Sequence, residues 1–131
     1  YSSSGVLVID PATDTAEFLS YVGLGVTAPS GGAFSGCCTG PDGKIYFMPY
    51  SATLIGVFDP LETVLTEKMK FINAAGSAIN GASKWTGCSI GENGTIYSVP
   101  ANSTDILQIS MNSGVDIPDG RMLRSPHFNK L

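Results

Sequence analysis

The feature that most constrains this chain is an internal repeat of about fifty residues. With the sequence shifted by 51 positions, nine of the 26 residues in 34–59 are identical to their partners in 85–110. A shift of 49 positions places Asp10-Pro11 on Asp59-Pro60. Such self-similarity is typical of proteins built from stacked copies of one structural unit. The 131 residues divide into the end of one repeat (1–33), a full repeat (34–84), a third repeat (85–114) and a C-terminal tail (115–131).

Turn signals inside each repeat predict short antiparallel strands. Asp42-Gly43 and Asn93-Gly94 predict two-residue hairpins of type I′, in which both central residues have positive φ. Proline cannot donate to a ladder, so Asp59-Pro60 ends the strand before it. We predict a four-stranded meander in each repeat and no helix longer than a turn or two. The predicted strands are Val6 to Ile9, Thr15 to Tyr21, Lys44 to Met48, Leu54 to Phe58, Val64 to Phe71, Thr95 to Val99 and Ile106 to Ile109.

The side-chain pattern indicates how these meanders pack. A strand with one face in solvent alternates apolar and polar residues. Val6 to Ile9, Ile45 to Met48 and Leu54 to Phe58 instead carry apolar residues or glycine on both faces. Sheets covered on both sides are found in the stacked blades of a β-propeller. We therefore predict an all-β fold with about two and a half blades, and a β-trefoil is the alternative because three four-stranded repeats also suit this length.

The residues of the repeat also carry a family resemblance. The pattern Gly-x₄-Pro-Asp-Gly-Lys-Ile-Tyr-x₂-Pro in residues 36–49, ending in Val-Phe-Asp-Pro at 57–60, resembles a β-propeller-type repeat. Lys84-Trp85-Thr86-Gly87 is similar to the opening of such repeats, and 125–130 to their C-terminal ending. The resemblance implies the fold and no established activity. The chain is also similar to propeller lyases of the streptogramin type, which use a catalytic histidine that has no match here.

The candidate chemical groups favour structural roles. Cys37, Cys38 and Cys88 do not form a C-x₂-C pair, so we predict packed thiols rather than a zinc site or a disulfide framework. The equivalence of Cys37 and Cys88 in the repeat indicates small packed side chains on an inner strand. The single histidine, His127, lies close to the C-terminus without a nucleophile and base set around it. We predict no metal and no cofactor.

Carboxylates and aromatic residues are assigned in the same way. Asp10, Asp42 and Asp59 precede proline or glycine, which indicates turn capping rather than acid–base catalysis. Phe34 and Trp85 are equivalent in the repeat. Aromatic residues at such positions either fill the space between blades or stack against sugars. We include both in the predicted interaction residues, together with the basic residues Arg121, Arg124 and Lys130 of the tail.

Charge and hydropathy limit the classes of partner. Seven basic residues against eleven acidic ones, with a pI near 4.6, argue against binding nucleic acid by neutralising phosphates. Apolar runs of about four residues are too short to span a bilayer. Three cysteines without a disulfide pattern slightly favour a reducing, intracellular compartment.

These observations predict a non-enzymatic protein-interaction or scaffold module, of the kind that serves as an accessory subunit of a larger assembly. The expected partner is protein, either subunits of that assembly or copies of the chain that complete a propeller. The alternative is a carbohydrate-binding propeller, and a propeller lyase or hydrolase ranks third. Apolar sheet faces involving Val6 to Ile9 at one end and Ile106 to Ile109 at the other are the expected contact surfaces.

Overall fold

Short strands form nearly all the regular structure of the chain. The computed structural model describes residues 4–24, 32–75, 81–110 and 119–124, with 74–75 and 119–124 described by their backbone alone. The predicted all-β class is confirmed. No helix in these ranges is long and apolar enough to cross a membrane. The elements in chain order are β1 Gly5–Asp10, β2 Thr15–Ser20, β3 Phe34–Thr39, β4 Ile45–Pro49, β5 Ile55–Phe58, α1 Leu65–Lys68, β6 Met69–Ile72, β7 Ala74–Ala75, β8 Trp85–Ile90, β9 Ile96–Pro100, β10 Asp105–Ser110 and β11 Asp119–Arg124.

The strands are arranged in three sheets. The N-terminal sheet pairs β1 with β2, the middle sheet has the order β3-β4-β5-β6, and the C-terminal sheet has the order β7-β11-β10-β9-β8. Neighbouring strands are antiparallel except for the short β7, which is parallel to β11. Within the described ranges these sheets remain separate and do not close into a barrel or a propeller.

The hairpin turns after β3 and β8 differ from the predicted type I′. Gly43 has a φ of +80° and Gly94 has a φ of +76°, but Asp42 does not have a positive φ. The chain turns over residues 40–43, where the Gly43 N–H donates to the Gly40 carbonyl at 3.0 Å. Pro41 holds the first central position of this turn, and its ring restricts φ to about −65°. A type I′ turn, which needs a positive φ there, is therefore excluded.

The strand register of the middle sheet recurs 51 residues later. Cys37 pairs with Phe47 in the middle sheet, and Cys88 pairs with Ser98 in the C-terminal sheet. The same offset relates the pairing of β4 with β5 to that of β9 with β10. It also relates the pairing of β5 with β6 to that of β10 with β11. The positions aligned in the sequence are therefore the positions aligned in the two sheets.

Strand β11 lies in the segment that we predicted to be a tail. Residues 119–124 pair with β10 over its whole length, in the position that β6 has in the middle sheet. Residues 120–123 share no identity with the equivalent residues of β6. Arg121, Met122 and Leu123 are similar in kind to Lys70, Phe71 and Ile72 but not identical, so a search for identical residues missed this strand. Residues 115–118 and 125–131 lie outside the described residues.

The fourth strand of the middle sheet begins later than predicted. We predicted a strand from Val64 to Phe71, but the helical turn α1 comes first and β6 begins at Met69. The connection from β5 to β6 lies between the paired residues Phe58 and Met69. The equivalent connection from β1 to β2 lies between the paired residues Ile9 and Ala16, and it is four residues shorter. The helical turn α1 has four residues and no buried side chain. The extra residues are therefore accommodated at the surface without a change in the sheet.

Both faces of the middle sheet are covered. Because side chains alternate along a strand, its apolar residues divide between two neighbours. The face toward the N-terminal sheet packs in a core whose buried members are Leu19, Phe58 and Met69. The face toward the C-terminal sheet packs in a core whose buried members are Tyr46, Met48, Ile55, Val57, Trp85, Ile96, Leu107 and Ile109.

Strands β3 and β8 approach each other closely at two equivalent glycines. Gly36 and Gly87 have φ angles of +79° and +65°, and each lies at a register shift in its strand. A Cβ atom added to Gly36 would lie 2.6 Å from the Cα of Gly87. Beside them, Ser35 Oγ and Thr86 Oγ1 are 3.1 Å apart. The backbones of the middle and C-terminal sheets therefore meet at this point with no room for a side chain on Gly36.

Candidate functional site

Trp85, the aromatic residue predicted to contact a partner, lies in the core instead. Its side chain is 1% exposed. Its indole N–H donates a hydrogen bond to the Asp105 carbonyl at 2.7 Å. A ring with this burial has no face open to a ligand. The structure therefore removes Trp85 from the predicted interaction residues and gives it a packing role between the middle and C-terminal sheets.

Phe34, the equivalent residue of the middle sheet, packs in an aromatic cluster beside the N-terminal sheet. Its ring stacks on Phe71 with 6.3 Å between ring centroids and 17° between planes. It contacts Tyr21 edge-on at 6.1 Å and Phe47 in a tilted geometry at 6.0 Å. The ring lies over Gly56, where an added Cβ would be 3.4 Å from Phe34 Cζ, an ordinary van der Waals contact. Phe34 keeps partial exposure, but its contacts are those of a packing residue.

The basic residues of the predicted set lie far from both aromatic residues in the sheet order. Arg121 and Arg124 are in β11, at the opposite side of the C-terminal sheet from Trp85 in β8. Register places Arg121 opposite Gln108 in β10. Lys130 lies outside the described residues. The five predicted interaction residues are therefore not assembled into one site among the residues that the structure describes.

The three aspartates before proline or glycine cap turns. Asp10 Oδ1 accepts the Ala12 N–H at 2.8 Å, and Asp59 Oδ1 accepts the Leu61 N–H at 3.0 Å. The hydrogen bond from Ala12 is the main cause that lowers the pKa of Asp10. Asp42 uses one oxygen for the Lys44 N–H and the other for the Tyr46 hydroxyl, at 3.2 and 2.9 Å. Their oxygens are thus engaged locally, as the sequence pattern indicated.

The cysteines are arranged differently from the prediction. Cys38 and Cys88 both pack against the core between the middle and C-terminal sheets, and burial raises the pKa of both thiols. Cys37 is exposed although Cys88, its repeat equivalent, is packed. The reason is the neighbour: Cys88 faces the four-stranded middle sheet, whereas the N-terminal sheet has two strands and does not cover Cys37. In the described ranges no group of three or more histidine, cysteine or acidic residues is placed to hold a metal ion.

A cleft of about 790 Å³ opens along the outer part of the middle sheet. Its charged lining consists of Lys44, Asp59, Glu62 and Lys70. Lys44 Nζ lies 3.5 Å from Asp59 Oδ2. The two lysines and the two acids balance in charge, so the cleft offers no concentrated charge to an ionic ligand.

The outer face of the N-terminal sheet exposes large apolar side chains. Leu7, Ile9 and Phe18 are 61%, 66% and 56% exposed. Leu7 and Phe18 are directly paired across the strands, so they lie on the same face. The alternate residues Val6 and Val8 pack inward against the middle sheet. We call the face formed by Leu7, Ile9 and Phe18 the N-terminal outer face.

The C-terminal sheet also has an outer face that no described residue covers. Val99 is 61% exposed there. Tyr97 and Ile106, also on this face, are partly exposed. In the middle sheet the equivalent residues, 51 positions earlier, are Met48, Tyr46 and Ile55, and all three are 0% exposed. We call the face formed by Tyr97, Val99 and Ile106 the C-terminal outer face.

The predicted contact surfaces match these two faces only in part. The predicted ranges, Val6 to Ile9 and Ile106 to Ile109, include four residues that pack inward: Val6, Val8, Leu107 and Ile109. Strand alternation would have separated the inward residues from the outward ones. The omitted Val99 is the repeat equivalent of Met48, so the 51-residue offset carried the signal that identifies it.

Comparison with known proteins gave no match to a family model, a curated protein or a solved structure.

Proposed function

We propose that this chain is a non-enzymatic protein-interaction module whose sheets stack like the blades of a β-propeller. One observation carries the proposal. The apolar positions that are buried on the middle sheet are exposed on the C-terminal sheet at Val99 and partly exposed at Tyr97 and Ile106. Exposed apolar patches of this kind are typical of contact surfaces.

The blade interpretation rests on the chain path within each sheet. The middle sheet is a meander in which the strand order follows the chain order, and the C-terminal sheet repeats it at the 51-residue offset. Common propellers have four to eight such sheets. Three sheets lie in the described residues. Further sheets packed against the two outer faces would complete the assembly. In such an assembly this chain would be an accessory or scaffold subunit.

The carbohydrate-binding alternative loses its main support. It relied on Phe34 and Trp85 as stacking platforms. Trp85 is 1% exposed, and Phe34 is engaged by the rings of Tyr21, Phe47 and Phe71. No other observation on the described residues favours a sugar over a protein partner, so we keep protein as the proposed partner.

Dye binding combined with sedimentation tests the proposed function. The folded chain is expected either to be a monomer that binds an apolar fluorescent dye, or to be assembled with the outer faces covered. If it is a monomer, Phe18→Asp and Val99→Asp should each lower the dye signal, because each removes an exposed apolar side chain. Leu61→Asp is the control, since Leu61 is 90% exposed but lies on neither face. A folded monomer without dye binding would overturn the proposal.

A further inference from the structure

The contact between the middle and C-terminal sheets shows how a sheet of this chain receives a neighbour. The receiving face of the middle sheet carries Tyr46, Met48 and Ile55, each 0% exposed. The neighbour that covers them contributes Trp85 and Leu107, exposed by 1% and 0%. The contact is thus an apolar receiving face of one repeat against an apolar covering face of the next repeat.

The same receiving face is present again on the C-terminal sheet. Because the strand register recurs at 51 residues, the C-terminal outer face has the backbone positions of the receiving face. Its side chains are of the same kind, since tyrosine, valine and isoleucine replace tyrosine, methionine and isoleucine. No described residue covers this face.

The covering face is present, uncovered, at the other end of the chain. In the middle sheet the residues that face the N-terminal sheet include Phe58 and Phe71. The pair Phe58↔Met69 of the middle sheet corresponds to the pair Ile9↔Ala16 of the N-terminal sheet. Phe58 is therefore equivalent to Ile9. Phe71, two residues after Met69, is equivalent to Phe18, two residues after Ala16. The N-terminal outer face is therefore the counterpart of a face that, inside the chain, packs against a receiving face.

We propose that the chain associates with a second copy of itself head to tail, with the N-terminal outer face of one copy packed on the C-terminal outer face of the next. This inference rests on the proposed function and names the partner of the same surfaces. The contact is heterologous, because the two faces that meet are different. It therefore closes into a ring or continues as an open stack rather than ending at a symmetric dimer.

Complementary variants test the direction of the contact. Phe18→Asp damages the N-terminal outer face and leaves the other face intact, and Val99→Asp does the reverse. Each variant alone is expected to sediment as a monomer. An equimolar mixture should form a dimer of twice the monomer mass and nothing larger, because only one intact face of each kind is present. The wild-type chain should form larger species, and Leu61→Asp should behave like the wild type.

Circular dichroism and the fluorescence of Trp85 establish that each variant is folded, and Leu7→Asp with Ile106→Asp provides a second pair. A wild-type chain that stays monomeric while binding the apolar dye overturns the self-association but not the proposed function. A monomer without dye binding overturns both. Homodimers formed by either single variant show a symmetric contact, which also overturns the head-to-tail arrangement.

Discussion

Substituting Gly36 by alanine tests the close approach of β3 and β8. The substitution has two costs. A non-glycine residue at the observed φ of +79° is strained by about 1–2 kcal/mol. The new Cβ would also lie 2.6 Å from backbone atoms of Gly87, so the two sheets must separate, and overpacking of this kind costs about 1–3 kcal/mol. Reduced entropy of the unfolded chain returns about 0.4–1 kcal/mol.

Gly87 and Gly43 provide matched controls. Both have positive φ, +65° and +80°, and a Cβ added to either meets no atom within 4 Å. Gly87→Ala and Gly43→Ala therefore carry the strain without the collision. We expect Gly36→Ala to lower the free energy of unfolding by about 1–3 kcal/mol more than either control. Because Gly87→Ala places the strain in the same region without the collision, the difference between it and Gly36→Ala isolates the cost of the collision.

Urea denaturation followed by tryptophan fluorescence measures these differences. Trp85 is the single tryptophan of the chain, and it is buried between the two sheets that would separate. With a denaturant slope of about 1–3 kcal/mol per molar urea, the expected shift in midpoint relative to the controls is about 1 M. Equal midpoints for Gly36→Ala and Gly87→Ala would refute the close approach of the backbones.

Three further results are expected. In the folded chain at pH 8, iodoacetamide should label Cys37 well before Cys38 and Cys88, because Cys37 is exposed whereas burial raises the pKa of the other two thiols. Peptide mass spectrometry after timed quenching measures the order of labelling. Equal labelling rates would contradict the packing of Cys38 and Cys88. Burial, together with the hydrogen bond to Asp42, raises the pKa of Tyr46 above the value of about 10 that it has in the unfolded chain. The stability that Tyr46 contributes is therefore complete below about pH 10, and it is lost as the pH rises through the pKa of the folded state. Tyr46→Phe should therefore show a shallower alkaline loss of stability in urea titrations between pH 9 and 11, and an unchanged slope would argue against the assignment. Replacing Lys44 by methionine should lower the free energy of unfolding by less than about 1 kcal/mol, since the ion pair of Lys44 with Asp59, at 3.5 Å, is partly exposed. Thermal unfolding measures this change. A larger loss of stability would mean that the ion pair is stronger than its geometry indicates.

The sequence predicted β4 and β5 of the middle sheet because two independent signals agreed there. Apolar residues fill both faces of β4 and β5, and the Asp-Gly and Asp-Pro pairs mark where the chain turns. The internal repeat transferred the same assignment to β9 and β10. Turn capping by Asp10, Asp42 and Asp59 was also predicted, since it depends on residues only two positions apart.

The sequence did not predict the features that depend on which sheet lies beside a strand. Phe34 and Trp85 are equivalent in sequence, but Trp85 is covered by four strands and Phe34 by two. The same difference makes Cys37 exposed and Cys88 packed. Strand β11 was not predicted because residues 121–123 are similar to residues 70–72 of β6 without being identical to them. The burial of a repeat position is therefore decided by what stands beside its sheet rather than by the residue itself.

The four extra residues at α1 define a site where this chain can be engineered. The connection from β5 to β6 is four residues longer than its counterpart in the N-terminal sheet, yet Phe58 and Met69 still pair as Ile9 and Ala16 do. Lengthening a flexible loop adds little entropic cost, about 0.6 kcal/mol for each doubling. No side chain of α1 is buried. A peptide tag or a small domain inserted between Leu65 and Lys68 would therefore leave the strand pairing and both outer faces undisturbed.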